Sequence, residues 1–176
     1  GVDFKDRSTW QSKKMPYAIH GIYQQYQAGH AAPVWALRQD ERVVEVFADM
    51  WNTRPMDLLS SFDGFSLRPP HEWLGRKGAK CPQGQWFHYD QGDYAGRYTI
   101  QGFITLEDQD VDDAPLVVVD KSHLHHQEFF KQFPGRKGDW IKFDERELAW
   151  VLSRPDAKEV RVAAKKGSMV LWDSRT

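Results

Sequence analysis

Five short runs of β-branched and aromatic residues, separated by turn-forming clusters, constrain this chain more than any other feature. They cover about residues 84–91, 98–106, 116–119, 159–164 and 168–172. Runs of this length, with apolar and polar residues alternating, form half-buried strands. In the second run Tyr98, Ile100, Ile104 and Leu106 share one face, and Thr99, Gln101, Phe103 and Thr105 share the other. An acidic turn at 108–114 follows it, and Lys165-Lys166-Gly167 turns the last two runs back on each other. Helical patterns flank the strands. Val43, Val44, Val46, Phe47, Met50 and Trp51 form one apolar stripe over residues 41–51, with Asp40 as N-cap. A short helix is expected over 125–133. Another starts after Asp144, where Asp144 and Glu147 fit a capping box and Phe143 and Leu148 a hydrophobic staple. Residues 58–67 read as extended chain stopped by Pro69-Pro70, and 75–80 as a polar loop. Residues 1–38 show no clear period. The whole reads as one mainly β domain with flanking helices, a jelly-roll barrel in outline.

Composition bounds the function. The 176 residues suit a single domain, and 40% apolar content with 8 Trp and 10 Phe supports a packed core. Lys and Arg (24) nearly balance Asp and Glu (25), so no basic field argues for nucleic acid. The one cysteine, Cys81, has no partner for an internal disulfide, which points to a reducing, intracellular and cytoplasmic setting. No run of 18 apolar residues occurs that could span a membrane. Gly1-Val2-Asp3-Phe4-Lys5 has no signal-peptide core, and a first residue other than Met reads as a clipped start. Nothing in the sequence sets an oligomeric state.

The chemistry concentrates in Gln85-Trp86-Phe87-His88-Tyr89-Asp90-Gln91. Side chains two apart on a strand share a face, so His88 and Asp90 lie side by side as two cis ligands for one metal ion. One more imidazole would complete a 2-His-1-carboxylate triad, which leaves positions open on Fe(II) for a co-substrate and O2. Manganese, cobalt and zinc remain open as alternatives at such a site.

Further segments fall in a telling order. They are Trp35-Ala36-Leu37-Arg38 with the 43–51 helix, Ser61-Phe62-Asp63-Gly64, the His88 strand and Ile100-Gln101-Gly102-Phe103. Leu116-Val117-Val118-Val119-Asp120-Lys121-Ser122-His123 and residues 167–176 complete the set. On these the chain resembles the phytanoyl-CoA dioxygenase-like branch of the Fe(II)/2-oxoglutarate-dependent oxygenases, over most of its length. The resemblance implies a double-stranded β-helix (jelly-roll, cupin-like) core, with His88 and Asp90 as iron ligands. It also implies a distal His about two residues beyond Thr176, then an Arg for the far carboxylate of 2-oxoglutarate. The chain reads as stopping just before both. The activity implied is hydroxylation of a small-molecule substrate, with 2-oxoglutarate and O2 consumed and succinate and CO2 released. A non-enzymatic jelly-roll binding or assembly module is the alternative.

Other residues are weaker candidates. Gln91 either bonds the co-substrate or orients a ligand, or it is an outward polar strand residue. Gln101 and Phe103 either line the 2-oxoglutarate pocket or pack within the barrel. Arg68 is either a substrate-binding cation or a solvated residue. Trp35 and Arg38 either shape a substrate mouth, or serve core packing and a salt bridge. Ser174 and Asp173 should face opposite ways on the last strand, with Asp173 paired to Arg175. His123 is expected to bond backbone, His125 and His126 to be solvated, and His20, His30 and His71 carry no role.

Overall fold

The structure is a computed structural model that describes residues 2–3, 5–10, 17–19, 21–67, 86–113 and 115–176. It divides into two compact units, Gly1–Gln83 and Gly84–Thr176. The expected proline stop at Pro69-Pro70, the 75–80 loop, and the candidates Arg68, His20, His71 and Cys81 lie outside the described residues.

In the first unit, α1 (Ala32–Arg38) leads into α2 (Glu41–Trp51), and β1 (Ile22–Tyr23) pairs antiparallel with β2 (Phe65–Ser66). Helix α2 has the expected bounds because Asp40 accepts from Arg42 N and Asn52, left-handed at φ 48°, ends it. Helix α1 is a finding the sequence did not announce. It is two turns long and carries Pro near its start, too short for a period to register. Residues 58–64 have no regular structure, and only the end of the expected extended segment, β2, is a strand. Among the described residues Arg38 forms no salt bridge. Its guanidinium donates to the Gly29 and Asp63 carbonyls at 3.0 and 2.9 Å and lies over the Trp35 and Phe62 rings. His30 stacks on Phe62, a packing role.

The second unit holds three antiparallel ladders. Strand β3 (His88–Tyr89) pairs with β6 (Ile141–Lys142), β4 (Ile100–Ile104) with β8 (Met169–Asp173), and β5 (Leu116–Asp120) with β7 (Lys158–Val162). The last two ladders follow one another. Thr105 N bonds Ser168 O, and Gln109 bridges Ala164, so the β4–β8 pairing continues to Gln109 and Ala164, and the β5–β7 pairing resumes at Leu116 and Val162 in a shifted register. Four of the expected strands are met with ends moved by a residue or two, whereas of the run 84–91 only His88–Tyr89 is strand among the described residues. Gly102 sits in the middle of β4 because a Cβ there would come 2.4 Å from Leu171 Cδ2 and 3.0 Å from Val170 O. The unit is thus β-rich, with separate two-stranded ladders where a complete jelly roll has two facing sheets. The face assignment of the second run fails at its ends, since Tyr98 and Leu106 are mostly exposed and Thr105 is buried.

Two helices cover one side of this framework: α3 (His126–Gln132) and α4 (Glu145–Leu152). The core joins Tyr89, Ile141 and Val119 to Phe129, Phe130 and Val151, with Phe87, Phe133, Phe143, Leu148 and Trp150 packed around it. Tyr89 meets Phe129 and Phe143 edge-on, the favoured aromatic geometry. Helix α4 starts as expected. Glu147 N donates to Asp144 Oδ1, and Asp144 N donates to Glu147 Oε2, each at 2.8 Å. The Glu147 carboxylate, 3% exposed, also receives a bidentate guanidinium from Arg136. Replacing Glu147 by Ala removes the reciprocal half of the capping box and the Arg136 ion pair while the Asp144 cap remains, so Glu147→Ala should cost about 2 kcal/mol of stability in a urea unfolding titration.

Candidate metal centre

A two-residue pleat builds the site. Tyr89 and Ile141, cross-strand partners, point into the core and are almost fully buried. The neighbouring positions therefore point the other way. His88 lies opposite Lys142 on that outer face, and Trp86 and Trp140 stand two residues before them. The His88 and Trp86 rings are parallel at 4.5 Å, and the Trp140 ring is 5.7 Å from His88.

His88 and Asp90 meet as expected. Nε2 lies 3.2 Å from Asp90 Oδ2, with the side chains 22% and 29% exposed. His88 Nδ1–H donates to the Trp86 carbonyl at 3.0 Å, which leaves Nε2 as the outward donor atom. Two ligands about 2.1 Å from one ion, at a right angle, lie about 3 Å apart. The donor set and its spacing therefore suit two cis positions on a divalent metal. Among the described residues no group of three His, Cys, Asp or Glu is placed to hold one.

Gln101 supports the carboxylate. Its Nε2 donates to Asp90 Oδ2 at 2.9 Å, while Oε1 is buried without a hydrogen-bond partner among the described residues. The amide cannot be reversed at no cost, because Oε1 would then face the carboxylate. Gln101 stands opposite Trp172 in the β4–β8 ladder, and Phe103 on the same face meets Trp172 at 5.9 Å. The backbone closes the arrangement, with Asp90 N bonded to Ser174 O at 2.8 Å. That bond brings the end of β8 against the pair.

Gln91 is not an outward strand residue. It is fully buried: Nε2 donates to the Tyr94 and Gly96 carbonyls, and Oε1 accepts from Ser174 Oγ. Its side chain thus shapes the turn after Asp90. His126 is not solvated either. It is 1% exposed, its Nε2 lies 3.1 Å from Gln91 O, and burial pushes its pKa down. The signal overlooked is the helical register of His126 with Phe129 and Phe130. His125 is not freely solvated either, its side chain being 19% exposed and 3.4 Å from Glu128. Asp173 and Arg175 do pair, through two guanidinium bonds of 2.8 and 2.7 Å. Trp86 could have been found from its spacing to His88. Trp140 could not, because β6 is only two residues long.

Electrostatics ties the pair together. Burial opposes the charged imidazole, but the Asp90 hydrogen bond, the Trp86 carbonyl and the Asp90 charge outweigh it and raise the His88 pKa. Burial likewise opposes the carboxylate, yet bonds from His88 and Gln101 hold Asp90 below its ordinary range. The stability from His88 is complete below its ordinary value of 6.5 and is lost as pH rises through the raised one. That from Asp90 is complete above its ordinary 3.8 and is lost as pH falls through the depressed one.

Ava biosynthesis cluster protein O of Aspergillus versicolor is 31% identical to this chain over 186 aligned residues, which take in all of it and 58% of the relative. The chain therefore spans a little over half the length of that protein. No family model matches the sequence, and no solved structure matches it.

Two outcomes follow from this geometry. A metal must displace the His88 proton, so Co(II) affinity should rise roughly tenfold per pH unit below the His88 pKa and level off above it. Gln101→Leu removes the carboxylate's support and the orphaned oxygen together. It should weaken Co(II) binding about tenfold in a spectrophotometric titration while leaving the urea midpoint of the metal-free protein unlowered.

Proposed function

We propose that this chain carries the iron-binding face of an Fe(II)- and 2-oxoglutarate-dependent dioxygenase that hydroxylates a small molecule in a biosynthetic route. The observation that carries the reading is the His88–Asp90 pair, two donors 3.2 Å apart with the imidazole oriented by its other nitrogen. The printed name of the similar protein, which refers to a biosynthesis cluster, supports a tailoring role. The fold entailed is a double-stranded β-helix, with which the antiparallel β4–β8 and β5–β7 ladders are compatible.

In this reading His88 and Asp90 hold Fe(II). Such a site needs a third ligand besides these two, and the Asp90–Ser174 bond brings the end of β8 against the pair. The bound iron, with 2-oxoglutarate and O2, supplies the oxidising power, and succinate and CO2 leave with the hydroxylated product. The protein's own tasks are positional. The Trp86 carbonyl keeps the proton on Nδ1, so Nε2 presents a lone pair. Gln101 fixes the carboxylate and, with Phe103, lines the co-substrate side. Gln91 holds the turn after Asp90 and so sets where the carboxylate stands. No protein nucleophile or acid–base pair is required.

The test is an anaerobic titration with Fe(II) and 2-oxoglutarate, followed by the visible charge-transfer band of their complex. It is run on this chain and on a version extended past Thr176. The band should form in the extended protein and vanish in His88→Ala and Asp90→Ala, with succinate release falling more than about a hundredfold. Succinate release at the parent rate in either variant would remove the assignment. No band in either length would favour a binding or assembly module.

A further inference from the structure

We propose that His126 is a positioning residue for the candidate metal centre, clamping from α3 the two residues that flank Asp90. This rests on the metal-centre reading and adds to it the group that holds the carboxylate in place.

Asp90 needs such a group because the ladder does not reach it. The β3–β6 pairing ends at Tyr89 and Ile141, one residue before the carboxylate, and the chain bends at Asp90 and Gln91. The place of Asp90 is therefore set by its backbone bond to Ser174 O, at 2.8 Å, and by what holds its two neighbours. Both neighbours, Tyr89 and Gln91, are fully buried. His126 touches both of them. Its ring meets the Tyr89 ring edge-on with centroids 4.8 Å apart, and its Nε2 lies 3.1 Å from the Gln91 carbonyl oxygen.

The chemistry of this contact is defined. A carbonyl oxygen only accepts, so Nε2 carries the proton and donates it. Nδ1 is then an acceptor, with the Gln127 amide nitrogen 3.5 Å away. The ring is 1% exposed, and burial, which opposes its charged form, pushes its pKa down. It acts as a neutral single donor in an aromatic setting, with the Phe130 ring also edge-on at 5.0 Å.

Packing alone does not ask for an imidazole here. A phenyl ring would meet Tyr89 and Phe130 in the same way and bring no polar atom into the core. What the imidazole adds is the bond to Gln91 O. The Gln91 side chain in turn bonds Tyr94 O, Gly96 O and Ser174 Oγ, and the Ser174 carbonyl receives the Asp90 amide. Removing the donor frees the main chain at residue 91, and Asp90, whose carboxylate stands 3.2 Å from His88 Nε2, moves with it.

Two variants separate the donor from the ring. His126→Phe keeps a ring and removes the donor, whereas His126→Gln keeps a donor and removes the ring. Amide hydrogen exchange at Asp90, read by NMR in the metal-free protein, reports the clamp, with the Val151 amide in α4 as a core reference. His126→Phe should speed exchange at Asp90 at least about tenfold more than at Val151, and weaken Co(II) binding about tenfold. His126→Gln should return both readouts toward the parent values, although its urea midpoint falls below that of His126→Phe. A residue that only fills the core gives the opposite ranking, with His126→Phe nearer the parent in every readout, and that result overturns the proposal. So does Asp90 exchange in His126→Phe that merely follows Val151, or Co(II) binding as tight as the parent's. If the parent binds no Co(II) but Asp90 exchange still follows the donor, the metal reading falls and the clamp stands.

Discussion

The burial of Tyr89 is the constraint on which the candidate site depends. Its ring is enclosed by His126, Phe129 and Phe143, and Ile141 across the ladder is held with it. Strand geometry then leaves His88 no choice of face. Slipping the register by one residue would bury the imidazole and expose the phenol, losing the aromatic core and the site at once. Stability and the proposed chemistry are therefore two sides of one pleat.

Around that pleat, polar groups do two kinds of work. Gln91, His126, Glu147 and Ser174 are buried with their hydrogen bonds made inside the chain, which fixes the turn after Asp90 and the start of α4. Gln101 differs, because one end of its amide is committed to Asp90 and the other has no partner among the described residues. An unsatisfied buried acceptor costs about 1–3 kcal/mol.

The charge arrangement of the pair has the same double character. Without metal, His88 and Asp90 stabilise each other as an ion pair in the window between the ordinary carboxylate and imidazole values. A metal ion would take the place of the shared proton, so the attraction that holds the two groups together also sets them at the spacing two ligands need. Lys142, across the ladder from His88, lies on this same outer face.

Much of this was legible in the sequence. The period-two runs, the Asp144–Glu147 cap and the His88–Asp90 spacing are local, and local rules of strand pleat and helix capping read them directly. The end of β8, with Asp173 bonded to Arg175, is local in the same sense. What depended on distant residues was not legible. Helix α1 and strand β6 are too short to leave a period. Trp140 reaches His88 only because β6 pairs with β3, and Gln101 reaches Asp90 only because β4 pairs with β8, whose end is bonded to Asp90. His126 looked like a surface residue until Phe129 and Phe130 carried its face of α3 inward. The sequence alone determined which side chains alternate and that His88 and Asp90 lie side by side. Tertiary structure decided which face is core, what stands beside the pair and which polar groups are satisfied, because these depend on contacts between segments that no local pattern encodes.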